Sequence, residues 1–430
     1  MGMGMSTVAA LHTYLRSWNA AGCLHGVAAV GLADGERVAV AGGMADPGLA
    51  VANEPDTVFR IGSLSKSFTA AAVLQQVAQG RLELSDSLER FFPDFPNAAG
   101  ISLHQLLNHS AGTANFTSAA EYWPTRMRLA HRPQELLDWA HALPPACPPG
   151  IAHAYSNTGY LLLAAIVERV ADQDFSSYRQ QYLFRPLGLE RTYVDDGRVI
   201  LPQAARGLHP GAPWRYAEPM DMSVAWGVYD LASSAGDLCR WLEALQRGEA
   251  LPARLAALML DVGALEYAYG FYGEDWTLAG RRLRLAQHFG DVNGFFSFMS
   301  VLPGGGGVVV LANAFGSPVE RLGRDLARIA SGEELEALPT PGRQQPDEQL
   351  FAPGRYENGE GAWLELFYNE HGCYARSPRR YGVPIAYPLT VEAHTPQLAR
   401  GAVLPETLLI EGGTLQWRDA EGEARSLRRQ

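Results

Sequence analysis

Strand-forming sequence appears at residues 25–45 and returns at residues 281–314, with helix-forming sequence between them. Any sheet must therefore be assembled from segments far apart in the chain, which points to a mixed α/β or α+β core. The first stretch, HGVAAVGLADGERVAVAGGMA, has two β-rich runs flanking Ala33-Asp34-Gly35-Glu36, and predicts a hairpin. The second holds RLRLAQHF, GFFSFMSVL and, after Pro303 and a glycine tetrad, VVVLAN, and predicts three adjacent strands. Between them apolar residues recur at helical spacing from Ser63 to the stop at Gly80, and again over residues 102–108, 133–142, 159–171 and 234–247, with Ser234 placed to cap the last. Residues 320–329 predict a closing helix.

The composition changes after that helix. ALPTPGRQQPDEQLFAPG is rich in Pro, Gly and Gln and predicts a linker. Short strand-like runs follow at 363–368, 373–376, 389–392, 407–411 and 414–418, with Asn358-Gly359, His371-Gly372 and Gly412-Gly413 as hairpin turns. That pattern predicts a small antiparallel barrel or sandwich. The expected organisation is a first domain at 1–336, a linker at 337–352 and a β domain at 353–430.

Several functional classes are disfavoured. The 430 residues carry a net charge of −11 with no basic stripe, so nucleic-acid binding is not expected. The longest apolar runs, 161–167 and 308–312, fall far below a membrane span. The N-terminal stretch lacks a positive cluster followed by an apolar core, so the expectation is a cytoplasmic protein without a signal peptide. Cys23, Cys147, Cys239 and Cys373 form no CxxC and are expected to be buried free thiols. The 11 histidines include no HExxH pair, so neither a metal nor another cofactor is expected.

One compositional fact is sharper. Lys66 is the only lysine, and the other 34 of the 35 basic residues are arginine. Lysine can give up its proton inside a protein and act as a base, whereas arginine stays charged. Ser63 lies three positions earlier at the start of the predicted helix, so hydroxyl and amine share a face. A serine hydroxyl needs an adjacent base to attack, and a desolvated lysine can serve. The structural alternative is a solvated lysine beside a capping serine. Tyr155-Ser156-Asn157 sits on a loop entering a helix, where a phenol can carry a proton and an amide can orient a substrate. The same spacing in Tyr356-Glu357-Asn358 runs into a hairpin turn and is assigned to structure alone. His288-Phe289-Gly290-Asp291 lies on a predicted strand: the histidine at its edge can donate to a substrate, and the backbone N–H after Gly290 can complete an oxyanion hole.

Taken in order, Ser-x-x-Lys, Tyr-x-Asn and a basic residue-x-Gly on a late strand resemble the serine β-lactamase and penicillin-binding protein superfamily. The resemblance is to its class C-like branch, which includes DD-carboxypeptidases, D-aminopeptidases and some esterases. VFRIGSLSKSFTA with the following GRLELSD, the LLNHSAG segment at 106–112 and GVYDLASSAGDLCRW at 227–241 extend it over roughly residues 10–330. The fold this implies is α+β: an antiparallel sheet flanked by helices, a helical subdomain beside it and the active site between them. The C-terminal region resembles the β-barrel domain, lipocalin-like in form, appended to some D-aminopeptidases.

By that resemblance Ser63 is the acylated nucleophile, Lys66 eases its deprotonation, and Tyr155 moves the proton and activates the deacylating water. Asn157 and Gly290 help position the substrate, and His288 stands where many relatives have lysine. The backbone N–H groups of Ser63 and Asp291 form the oxyanion hole. The Asp291 carboxylate departs from the small or neutral residue of relatives; pointing inward, it would favour a cationic substrate. The expected activity is cleavage of amides of small peptides or D-amino-acid derivatives, with esterase or acyltransferase chemistry as alternatives on the same residues. A non-catalytic binding protein of the same fold is the alternative from another class. The partner is then a small-molecule or short-peptide substrate, and a homo-oligomer is compatible with the sequence. The basic stretch Arg376-Ser377-Pro378-Arg379-Arg380-Tyr381 is read as a solvated charge run rather than a loop reaching the cleft.

Overall fold

The computed structural model describes residues 6–211, 213–263, 266–340, 342, 344–378 and 383–430. Arg379, Arg380 and Tyr381 of the basic stretch lie outside these, as do the first five residues of the N-terminal segment.

Seven antiparallel strands form the main sheet: β1 (Gly26–Gly31), β2 (Arg37–Gly42), β3 (Tyr267–Ala268), β4 (Phe271–Leu278), β5 (Arg281–Val292), β6 (Phe295–Val301) and β7 (Gly307–Ala312). Their order is β3-β4-β5-β6-β7-β1-β2, so the two ends of the chain's sheet-forming sequence meet where β1 pairs with β7. The predicted hairpin and the three late strands are present and adjacent, and β3 and β4 add to them.

β1 is buried along its whole length because both faces of the sheet are covered. Ala28 and Val30 pack with α1 (Thr7–Ala20) and the closing helix Val319–Ala330, in a cluster that includes Leu11, Leu15 and Leu326. Val27 and Ala29 face the larger cluster, which takes in the helices Ser65–Ala78, Asn157–Ala171 and Ala235–Gln246. Strand alternation thus feeds two separate cores from one sheet. Ser234 caps the last of these helices through the Asp237 N–H, as its position predicts.

Eight strands between Gly354 and Arg429 close into an antiparallel barrel. Its interior is filled by Leu364, Leu366, Tyr387, Leu389, Leu408, Leu415, Trp417 and others. The segment before it is anchored at both ends: the Leu338 N–H donates to Ser17 Oγ, and Phe351 is fully buried in the barrel core. The barrel also touches the first core directly, through His25 Nε2 at 3.1 Å from the Val403 carbonyl and Arg321 donating to the Ala420 carbonyl.

Candidate active site

The helix predicted to begin at Ser63 starts differently. Gly62–Leu64 is a 3-10 turn, and the α-helix proper runs Ser65–Ala78. Gly62 has φ +53°, and a Cβ there would lie 2.7 Å from the Asp291 nitrogen. On the facing strand, a Cβ on Gly290 would sit 2.4 Å from the Ile61 carbonyl oxygen and 2.8 Å from the Ser63 nitrogen. Only glycines permit two backbones to come this close. The β4 pairing reaches β5 no further than Gln287, so beyond it the outer edge of β5 is open and the Ser63 turn docks there. The backbones of Ser63 and Asp291 are thereby brought together.

Lys66 follows on the first helical turn and is wholly buried. Its Nζ lies 3.0 Å from Ser63 Oγ and 3.4 Å from the Val228 carbonyl. The Tyr155 hydroxyl, on the loop entering the helix Asn157–Ala171, reaches Ser63 Oγ at 2.9 Å. The Lys66 ammonium position lies 5.1 Å from the Tyr155 ring centre. Burial drives the Lys66 amine well below its usual range, against the opposing pull of the Asp291 and Asp230 charges. Burial, with Tyr272 adding to it, drives the Tyr155 phenol well above its own. Both groups contact one serine oxygen, and burial disfavours the charged form of each.

Asn157 opens the helix Asn157–Ala171. Its backbone N–H donates to Asn115 and its side-chain Nδ2 to Thr117 Oγ1 at 2.8 Å, while its Oδ1 has no hydrogen-bond partner among the described residues. His288 is placed otherwise than expected: it is 1% exposed, with Nε2 3.0 Å from the Tyr267 hydroxyl and Nδ1 against the Phe289 carbonyl. Strand alternation turns its ring into the core rather than out to a substrate. Burial lowers it to about 3, so it is a neutral imidazole. Asp291 is half-buried, and its charge acts on Lys66, Tyr155 and Tyr122.

The aromatic cluster packed around Tyr155 does not follow from the sequence. His109, Tyr155, Tyr267, Tyr272 and His288 form one continuous ring cluster, with centroid separations from 4.2 to 6.2 Å. Tyr267 and Tyr272 come from β3 and β4, a hairpin too short to read from periodicity. His109 lies in the LLNHSAG segment, whose sequence marks it out although its contacts do not follow from it. Among the described residues no group of three or more His, Cys, Asp or Glu is arranged to hold a metal ion, and no helix is long and apolar enough to cross a membrane. Cys23, Cys239 and Cys373 are buried free thiols, and Cys147 is free but partly exposed.

Comparison with known proteins follows the same lines. The family model described as Beta-lactamase matches residues 13–333. Penicillin-binding protein 4 of Amycolatopsis lactamdurans is 27% identical over 368 residues, covering 78% of this chain and 94% of that protein. Some other curated relatives are matched over about half of their length, such as the beta-lactamase of Yersinia enterocolitica, 26% identical over 213 residues, 49% of this chain and 52% of that one. Among solved structures, D-amino acid amidase from Ochrobactrum anthropi superposes with a TM-score of 0.63 at 25% identity, covering 72% of this chain and 91% of that chain. The octameric penicillin-binding protein homologue from Pyrococcus abyssi, at 22% identity, shares the fold over 99% of this chain and 100% of that chain, with a TM-score of 0.66.

Proposed function

The chain belongs to the beta-lactamase and penicillin-binding protein family, in its class C-like branch, and from that premise we propose that it is a serine hydrolase that forms an acyl-enzyme on Ser63 and cleaves amide bonds of small peptides or D-amino-acid derivatives. The observation that carries this is the single serine oxygen within hydrogen-bond distance of both the chain's only lysine and Tyr155.

Ser63 Oγ attacks the scissile carbonyl carbon while its proton passes to the uncharged Lys66 amine. The oxyanion lies against the backbone N–H groups of Ser63 and Asp291. As the carbon–nitrogen bond breaks, the Tyr155 hydroxyl gives its proton to the departing amine and recovers one from Lys66, which restores both uncharged groups. Water then attacks the acyl carbon and loses a proton to Lys66; Tyr155 returns a proton to Ser63 Oγ as the ester bond breaks and recovers one from Lys66, so both groups end uncharged. The likeness to D-amino acid amidase supports an amide rather than an ester substrate. The Asp291 carboxylate supports a substrate bearing an amine, because an anion beside the oxyanion hole is offset by a nearby ammonium.

Mass spectrometry after incubation with a fluorophosphonate tests the acyl-enzyme. The expected adduct maps to Ser63 and is absent from Ser63→Ala. Folded wild-type protein that takes up no label would refute it. D- and L-aminoacyl anilides assayed beside nitrophenyl esters then separate amide from ester turnover.

A further inference from the structure

The turn that follows the short helix Leu103–Leu107 holds a residue in an unusual backbone state. His109 has φ +59°, a left-handed conformation that a non-glycine residue keeps only where its surroundings enforce it. Besides packing on Tyr160 and Tyr267, it makes contacts to three consecutive residues. The Ala154 N–H donates to the His109 carbonyl at 2.8 Å. The Ser156 N–H donates to His109 Nδ1 at 3.2 Å. Between those two residues, the Tyr155 ring lies 4.2 Å from the imidazole, centre to centre. One residue therefore holds both chain neighbours of Tyr155 and packs against its ring, while being only 2% exposed. A backbone N–H can only donate, so Nδ1 is the acceptor nitrogen and the ring proton sits on Nε2. Burial opposes any second proton.

We propose that His109, as the Nε2–H tautomer, is the positioning residue for Tyr155, its carbonyl and Nδ1 fixing the backbone at 154–156 so that the phenol stays at Ser63 Oγ. The inference rests on the participation of Tyr155 in proton transfer at Ser63. His109 touches neither substrate nor Ser63 and acts through Tyr155. Its influence is on placement, where an error of about 1 Å can cost about 100-fold in rate.

Two replacements that both tolerate the left-handed backbone separate acceptor from strain. His109→Asn keeps an acceptor oxygen near the Nδ1 position, and His109→Gly removes acceptor and ring together. In the full chain, His109→Gly is expected to slow acylation of Ser63 by a fluorophosphonate, and kcat for an aminoacyl anilide, about 100-fold with little change in KM, whereas His109→Asn recovers the rate to within about tenfold of wild type. Adding His109→Gly to Tyr155→Phe should cause no further loss, since both act at one group. The inference is overturned by a folded His109→Gly protein with wild-type acylation, or by equal losses in the Gly and Asn variants. Independently of any variant, histidine 15N chemical shifts of the wild-type protein should report Nε2–H at His109, and an Nδ1–H tautomer would overturn it. Tyr155→Phe acylating at the wild-type rate removes the premise instead, and is distinguishable because it involves no change at His109.

Discussion

Two buried cations lie against the same short segment, and they have opposite environments. Arg179 is fully buried and meets Asp230 in a bidentate pair at 2.8 and 2.6 Å, with the Gly227 N–H donating to the same carboxylate. Lys66 is equally buried and meets the carbonyl of Val228, two residues before Asp230, and the Ser63 hydroxyl, but has no ion-pair partner among the described residues. The arginine keeps its charge and a matching fork geometry holds segment 227–231 in place. The lysine is desolvated with no ion-pair partner among the described residues, and burial drives its amine well below the usual range despite the Asp291 and Asp230 charges. A chain that uses arginine for every other cation keeps its one lysine where loss of charge is useful.

The largest expected effect comes from making the first site like the second. Lys66→Arg keeps a cation but removes the capacity to be neutral, and turnover should fall about 10⁴-fold, near 5.5 kcal/mol of barrier. Steady-state assays with an aminoacyl anilide check this, with circular dichroism to confirm folding. Turnover close to wild type would end the claim that Lys66 works as an uncharged base.

Making the second site like the first should cost stability rather than chemistry. Asp230→Asn leaves a buried guanidinium without its anion, and the expected loss is about 3 kcal/mol in denaturant unfolding. A shift of less than about 1 kcal/mol would mean that water or another group takes over the pairing.

Asp291 sharpens the contrast from a distance. It heads the charges that draw the Lys66 amine back upward, ahead of Asp230, which is already engaged by Arg179. Asp291→Asn should lower kcat/KM about tenfold more for substrates with a free amine than for neutral esters, a difference of about 1.4 kcal/mol. Equal effects on both classes would remove charge selection from the site.

How much of this was legible before folding depends on whether the signal was local. Ser63 and Lys66 are three apart on one helical turn, so their contact follows from spacing, and the unusual rarity of lysine drew attention to the pair. The hairpin at β1–β2 and the three late strands were readable because alternation and turn residues mark them. The placement of His288 was not readable, because which way a strand residue points depends on register against β6 and on β4 ending early. Tyr267 lies on a strand of two residues, too short to leave a periodic signature, and Tyr272 is placed by the pairing of β4 with β5. In the barrel, Thr407–Glu411 and Thr414–Arg418 were read to the residue, whereas Ala424–Arg429 was not, since its outward side chains, such as Arg425 and Arg428, hide a single buried leucine, Leu427.

The smallest expected effect concerns what a neutral lysine does to the folded state. In the unfolded chain Lys66 titrates near pH 10.4, by the ordinary value for lysine. In the folded protein it releases its proton at lower pH. Between the folded value and about pH 10.4 the unfolded state therefore binds more protons, so stability rises with pH across that window and is lowest beneath it. Lys66→Met, which keeps the stem and removes the amine, should then be more stable than wild type at neutral pH by about 1 kcal/mol, as is common when a strained functional group is removed. That advantage should fall by about 1.4 kcal/mol for each pH unit inside the window, because only wild type gains from the rise. Thermal melts of both proteins from pH 7 to 10 measure it. An advantage independent of pH would show that Lys66 folds with its charge intact, and the contrast with Arg179 would then lie only in which partner each cation has.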